Sequence, residues 1–578
     1  MENARNRTKR PIPKEKIIAL MYVAFFLFAA ALSCATTYHT SGNMLDGDAS
    51  GELVLSQHLS ETGQVLSSDW YYSTELRFLN TQLIYAPLFA FIDSWRMVRF
   101  VGAMVLQAIL ILSYWCLTRQ ARLGRRAFFL GAALLLLPTS VAYGRVVLYE
   151  CFYVPHIAIG FFLVALYLSI IRRKKERGTV RTPMGMATIF LLLSLAFVSG
   201  LGGIRQGMVT FAPLLATAFL LIFQDGRRAK EIRGRALWRD KATLFYALLA
   251  LAAFVAGYVG NIRMLAKWYM FRDYSGASLG LLTKPTRYKD IILGYLHQFG
   301  FRLPIAPMSV MGVLSLGGLF IAAYIAMRGA WFALRPDKAS LDDPYGKRFV
   351  QNFFFPSLVI LVGSFVFVEQ PSHYYLRFYI PTTVWVIPFL VSFEPIRPKK
   401  PRIAAAQKCL VAVCIVVLTL NGLYNTLFFF DPVKYPQKYE GLTYKDPNLV
   451  HHLEGAVAFI EENGYILGYS TFWPCNTVTE MTNGGTKMID LSMTTDPAAM
   501  CYYDWLTFKS YRAMKDVGKP FILLNPDEEK TYLQLPISAQ SGKVYSDDYY
   551  AIYEFSDAAA ISEYLSDSGM AEAEGNSP

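Results

Sequence analysis

The chain has 578 residues, of which 54% are hydrophobic and only 17% charged, with a mean hydropathy of +0.30. That balance excludes a soluble globular enzyme and a disordered chain, and predicts a polytopic α-helical membrane protein. The formal charge of +13 excludes a nucleic-acid partner, because the Lys and Arg residues fall in short runs between apolar segments rather than on one surface.

In chain order, apolar runs long enough to cross a bilayer, about twenty residues each, occupy 17–35, 97–117, 127–143, 152–171, 184–200, 208–223, 242–262, 303–327, 351–368, 378–393 and 405–427. This predicts about eleven spans. The basic clusters lie at 5–16, 119–126, 172–181, 227–241, 328–347 and 397–402. Placing all of them in the cytoplasm is consistent with these spans, as the positive-inside rule requires. The N-terminus is then cytoplasmic, and the C-terminal region lies outside a multi-pass cell membrane protein. Counting the shorter run 83–92 as a crossing would put 119–126 on the wrong side, so it is predicted to be an interfacial or re-entrant helix. The first apolar run is longer than a signal-peptide core, and Ala31-Leu-Ser-Cys34 is a poor lipoprotein box. An uncleaved first span is expected.

Three parts follow: a transmembrane domain over 1–430 with an outer loop at 36–96, an outer α/β domain over 431–566, and a disordered tail at 567–578. The outer loop is too long to be a simple connector. Within it, 48–61 reads as a helix whose stripe Asp48, Glu52, Leu55, Leu59 is acidic at the start and apolar afterwards, with Gly63 as its stop. A second outer segment, 263–302, mixes Lys267, Trp268, Tyr269, Arg272, Arg287 and His297. Cations and aromatics at a membrane edge suit a lipid phosphate. In the outer domain, 449–463 reads as a helix and 465–472, 521–525 and 549–555 as strands. Tyr469, Phe472 and Trp473 would stack on sugar rings if exposed, but strand aromatics usually point inward. Cys475 and Cys501 share this domain and could pair in an oxidising compartment.

The acids just outside the first span carry the functional lead. Asp46 and Asp48 stand in Asn43-Met-Leu-Asp-Gly-Asp-Ala-Ser-Gly-Glu52, and Glu150 ends the next outward loop, Tyr143-Gly-Arg-Val-Val-Leu-Tyr-Glu150. A carboxylate at the water edge of an apolar bundle can act as base on a substrate arriving through lipid. Each residue also has a plainer role open to it. Asp48 could cap the helix it begins, Glu150 could pair with Arg145, Arg205 could be a snorkelling anchor, and His373 and Arg377 could be structural. The glycines before Arg205 lack the Lys-Ser/Thr of a phosphate-binding loop.

The order of these pieces resembles the GT-C class of membrane glycosyltransferases, relatives of the protein O-mannosyltransferases and the lipid A aminoarabinose transferases. The matching pieces are Asp48 through Gly63, Thr81-Gln-Leu-Ile-Tyr-Ala-Pro-Leu-Phe89, the Arg145 to Glu150 stretch, and His373-Tyr-Tyr-Leu-Arg-Phe-Tyr-Ile-Pro381. Where that family often has Asp-Glu and Pro-Pro, this chain has Asp48-Ala49 and Thr81-Gln82. The resemblance implies transfer of a sugar from a polyprenyl-phosphate carrier to a cell-envelope glycan, lipid or protein acceptor at the outer face. It implies Asp48 as general base, with Asp46 and Glu150 orienting the acceptor or holding a divalent cation. Arg377 and His373, then Arg145, Arg205, Lys267 and Arg272, would meet donor and acceptor. Two other classes remain open at this point: a transporter or flippase of lipid-linked saccharides, and a non-catalytic anchor for the outer domain.

Overall fold

A computed structural model of the chain describes residues 14–73, 76, 78–228, 241–271, 278–279, 285–303, 308–334, 344–369, 375–393, 401–435, 448–514 and 517–567. Among the described residues, nine helices are long and apolar enough to cross a membrane, and the protein is a multi-pass membrane protein. They include α1 (Lys14–Asn43), α4 (Trp95–Ala121), α6 (Val154–Arg177), α7 (Pro183–Leu201), α9 (Lys241–Arg263), α10 (Val310–Leu334), α11 (Tyr345–Phe367) and α12 (Pro401–Phe430). The ninth joins a π-helical turn, Gly207–Phe211, to α8 (Ala212–Arg228).

Nine of the eleven expected runs are therefore continuous helices, and the other two are broken. The run at 127–143 forms α5 (Arg125–Leu135), then a turn at Pro138, the single turn Val141–Tyr143 and a π-helical stretch, Gly144–Tyr149. The run at 378–393 belongs to three short turns, Tyr375–Phe378, Ile380–Thr383 and Val386–Val391, with Pro381 and Pro388 each lacking a backbone donor. Such breaks are tolerated at membrane depth when the bundle surrounds them. Trp385 in this stretch packs 4.0 Å from the Phe353 ring and 4.9 Å from Phe161. The span expected at 303–327 starts later, at Val310.

The basic ends of the spans gather on one face. There Arg122 pairs with Glu176, the Lys175 amine lies 4.2 Å from the Tyr345 ring centre, and Arg348 pairs with Asp225 at 2.7 Å. On the opposite face the first loop forms α2 (Gly47–Thr62), ended by Gly63 at φ 65°, and α3 (Gln82–Phe89), which covers most of the apolar run expected at the interface. Glycine suits that left-handed stop because it has no Cβ. Between the two helices, β1 (Tyr71–Tyr72) pairs in parallel with β2 (Met270–Phe271), tying the first loop to the second outer segment.

The C-terminal α/β domain has a six-stranded sheet built from β3 (Leu467–Thr471), β4 (Lys487–Thr495), β5 (Ala498–Tyr502), β6 (Phe521–Leu524), β7 (Ser541–Ser546) and β8 (Ala551–Phe555), in the order β5-β4-β3-β6-β8-β7. β3 is parallel to both β4 and β6, while the remaining pairs are antiparallel. Helices α13 (Leu449–Glu462) and α14 (Phe472–Met481) pack on it. The stretch after Thr471 is thus a helix and not a continued strand. Tyr469 is core, while Phe472 and Trp473 are half-buried at the helix start. Cys475 and Cys501 are free thiols. The expected tail, beyond 567, lies outside the described residues.

This domain sits directly on the first loop. Leu506 N donates to Tyr71 O and Tyr71 N to Thr507 O, both at 2.9 Å, and the Trp95 N–H donates to Asn483 Oδ1 at 3.1 Å. At the centre of the contact Arg99, on α4, forms a buried ion pair with Glu480 on α14. Arg99 Nη2 also donates to Ala49 O of α2 at 3.1 Å.

Candidate functional site

The helix that bears the acids is capped by Asp46, whose Oδ1 accepts from Ala49 N at 2.9 Å. The cap is therefore two residues earlier than Asp48, and the helix-capping role weighed for Asp48 falls to Asp46. Asp48 sits in the first turn, where a negative charge is favoured by the helix dipole. Its side chain is 21% exposed, and Arg377 Nη1 lies 3.8 Å from Asp48 Oδ2. Chain segments more than three hundred residues apart meet at this ion pair.

Asp46 and Glu150 share one guanidinium. Arg145 Nη2 donates to Asp46 Oδ2 at 2.5 Å and Arg145 Nε donates to Glu150 Oε1. Both carboxylates are buried. The π-helical turn Gly144–Tyr149 makes this possible, since its wider winding sets Arg145 and Glu150 on the same side. Beneath it Gln107 of α4 donates to Leu148 O at 2.7 Å and to Thr37 Oγ1 at 3.0 Å, and accepts from Ser33 of α1 at 3.0 Å. The turn is thereby fixed against two spans. A divalent ion held between Asp46 and Glu150 would need the place that Arg145 already fills, so these two acids do not fit a metal bridge. Among the described residues no group of three or more His, Cys, Asp or Glu side chains is arranged to hold a metal ion.

Of the other expected contacts, Arg205 and Lys267 are among the described residues. Arg205, just before the π-helical turn at Gly207, donates to His156 Nε2 at 3.4 Å and lies 5.4 Å from the Tyr153 ring centre. It therefore faces the start of α6, a few residues after Glu150. Lys267 is exposed in the short turn Leu265–Lys267 beside Trp268, which is 73% exposed. Arg272 and His373 lie outside the described residues.

Three features were not foreseen from sequence. Glu52, one helical turn after Asp48, accepts from Asn80 Nδ2 at 3.1 Å and from the Thr81 hydroxyl. Asn80 and Thr81 stand at the start of the interfacial apolar segment, next to α3. Arg302 is buried at the turn before α10, donating to Asn421 Oδ1 at 3.3 Å and Asn425 Oδ1 at 2.5 Å of α12. A lone Arg in an apolar run, with Asn at i and i+4 on a later span, is the signal that could have flagged it. The third is the Arg99–Glu480 pair, whose partners stand 381 residues apart.

No family model matches the sequence, and no curated protein matches it. Among solved structures the chain is similar to ArnT from Cupriavidus metallidurans bound to undecaprenyl phosphate, with a TM-score of 0.50 and 12% identity over 92% of this chain and 97% of that one. The same protein in its apo state gives 0.48 at 12% identity over 94% and 99%. The oligosaccharyltransferase of Archaeoglobus fulgidus gives 0.46 at 10% identity over 88% and 70%. The first likeness spans nearly the whole of both chains, spans and C-terminal domain together. This chain has the fold of the GT-C class of membrane glycosyltransferases.

Proposed function

We propose that this protein is a glycosyltransferase that moves a sugar from a polyprenyl-phosphate carrier to an acceptor at the outer face of the membrane. The observation that carries the reading is the grouping of Asp48, Asp46 and Glu150 at one end of the bundle, with Arg377 facing Asp48 and Arg145 fixing the other two. The similar ArnT structure holds undecaprenyl phosphate, which supports a donor of that kind. Orientation follows from charge: the basic span ends belong in the cytoplasm, so the acids and the C-terminal domain face outward.

In this reading Asp48 Oδ takes the proton of an acceptor hydroxyl as that oxygen attacks the anomeric carbon. The bond from that carbon to the phosphate oxygen breaks, and its electron pair leaves with the lipid phosphate. Charge grows on the leaving group only along the reaction path, so a fixed cation there lowers the barrier more than it tightens ground-state binding. Arg377 is the first such cation, and Arg205 and Lys267 are the further ones, with Arg272 and His373 as expected contributors. Asp46 and Glu150, locked by Arg145, orient the acceptor and shape the pocket wall without taking the proton.

Replacing Asp48 by Asn and assaying transfer from polyprenyl-phosphate sugars in membranes tests this. Turnover is expected to fall by about 10² or more, with binding of the lipid-linked sugar retained. Unchanged turnover would overturn the reading, and unchanged movement of lipid-linked sugar across the bilayer by a transfer-inactive protein would favour a transporter.

A further inference from the structure

The C-terminal sheet contains a topological switch. From β3 the chain passes through α14 to β4 on one side, and β6 later joins β3 on the other. In open α/β sheets the crevice at the carboxyl ends of two such strands is where ligands bind. Here those ends are Thr471 and Asn525, and a cleft of about 270 Å³ opens between them. One residue of its lining comes from outside the domain: Asp46, the acid that caps α2 and pairs with Arg145.

We infer that this cleft is the acceptor subsite and that it takes an uncharged saccharide unit; the inference rests on the transferase reading and names the substrate class for it. The lining supplies both parts of a sugar site. Trp473, near the start of α14, and the His452–Tyr549 pair, stacked at 3.9 Å and 15°, offer flat apolar faces for the C–H side of a pyranose. Asn525, Thr471 and Glu528 offer acceptors and donors for hydroxyls. These polar groups are held in place: Thr471 Oγ1 donates to Glu528 Oε1 at 2.6 Å and Asn525 N donates to Glu528 Oε2 at 2.9 Å, completing a capping box. The lining has no Arg or Lys to pair with a phosphate or carboxylate, and His452 is the single titratable base among the lining residues. The volume falls just below the range for drug-sized ligand sites, about 300 Å³ upward, which suits one sugar ring.

The test uses the full chain in lipid nanodiscs and the methyl glycosides of glucose, galactose, mannose and N-acetylglucosamine as probes, read by saturation-transfer NMR. At least one probe is expected to take up saturation from the wild type, and Trp473→Ala and Tyr549→Ala are each expected to weaken that binding about fivefold or more. Tyr549 is 42% exposed, so its variant keeps the test valid if the Trp473 variant fails to fold. Absence of saturation with all four glycosides, or binding untouched by both variants, would overturn the subsite. Asp48→Asn separates the two claims: it is expected to retain the NMR signal while losing turnover. Retained turnover in that variant counts against the transferase reading and leaves the cleft's sugar binding to be judged by the NMR arm alone.

Discussion

Arg145 Nη2 lies 2.5 Å from Asp46 Oδ2, and the same guanidinium holds Glu150, so one cation bridges two buried acids drawn from separate loops. Removing one partner of a buried pair strands the other charge, a loss of about 3–5 kcal/mol. Arg145→Ala removes the guanidinium from both buried carboxylates and is expected to lower the thermal midpoint and abolish transfer. Arg145→Lys should restore little, because an ammonium cannot span both acids as the planar fork does. Thermal unfolding in detergent beside a transfer assay checks both statements, and a fully active Lys variant would show that the fork geometry is dispensable.

Arg377 stands 3.8 Å from Asp48 and is about one-third exposed, so it contributes little to folding, and its role is read from kinetics. Arg377→Ala is expected to lower kcat by about 10²-fold, the size found for single groups that stabilise developing charge, with the thermal midpoint nearly unchanged. A variant that raised only KM for the lipid donor would assign Arg377 to ground-state binding.

Much of this arrangement was legible in the sequence, for stated physical reasons. Hydrocarbon thickness and the positive-inside rule gave the nine continuous spans and the common side of their basic ends. Acid placement beside the first span, with Gly63 as a stop, gave α2 to within a residue. What could not be read were features set by tertiary packing. The breaks at Pro138 and at 378–393 interrupt runs whose hydropathy is uniform, and the π-helical turn that joins Arg145 to Glu150 differs from an α-helix only in winding. The cap fell on Asp46 rather than Asp48 because an N-cap is decided by backbone dihedrals, and both residues are equally suited by type. Arg99–Glu480 and Arg377–Asp48 join distant segments, which no local pattern encodes.

The Arg99–Glu480 pair is the polar centre of the contact between the spans and the C-terminal domain. Glu480→Gln is expected to leave a buried guanidinium uncompensated and to loosen the docking by about 3–5 kcal/mol. Hydrogen exchange should then quicken in α2 and α14 together while the sheet core stays protected. The paired replacement Arg99→Met with Glu480→Leu is expected to recover most of that loss, since a buried pair exchanged for packed apolar groups is often neutral. If the double variant is no better than the single one, the pair's hydrogen bond to Ala49 O is the dominant link.

Asp490 lies fully buried on β4, and burial pushes its carboxyl well above the usual range, against the smaller opposing effects of the Leu491 N–H and Arg512. In the folded domain it therefore keeps its proton at pH values where the unfolded chain has lost it. The folded state binds more protons, so stability falls as pH rises above the ordinary carboxylate pKa, and this loss ends only once pH passes the raised folded value. Within that window the slope is at most about 1.4 kcal/mol per pH unit for one group. Asp490→Asn, which has no proton to lose, is expected to flatten the decline in stability of the C-terminal domain as pH rises above the ordinary carboxylate range, measured by near-ultraviolet circular dichroism during thermal unfolding. Glu528, which burial also raises, remains in that variant and leaves a smaller residual slope of the same sign. A variant whose stability falls with pH as steeply as the wild type would place the titration elsewhere in the domain.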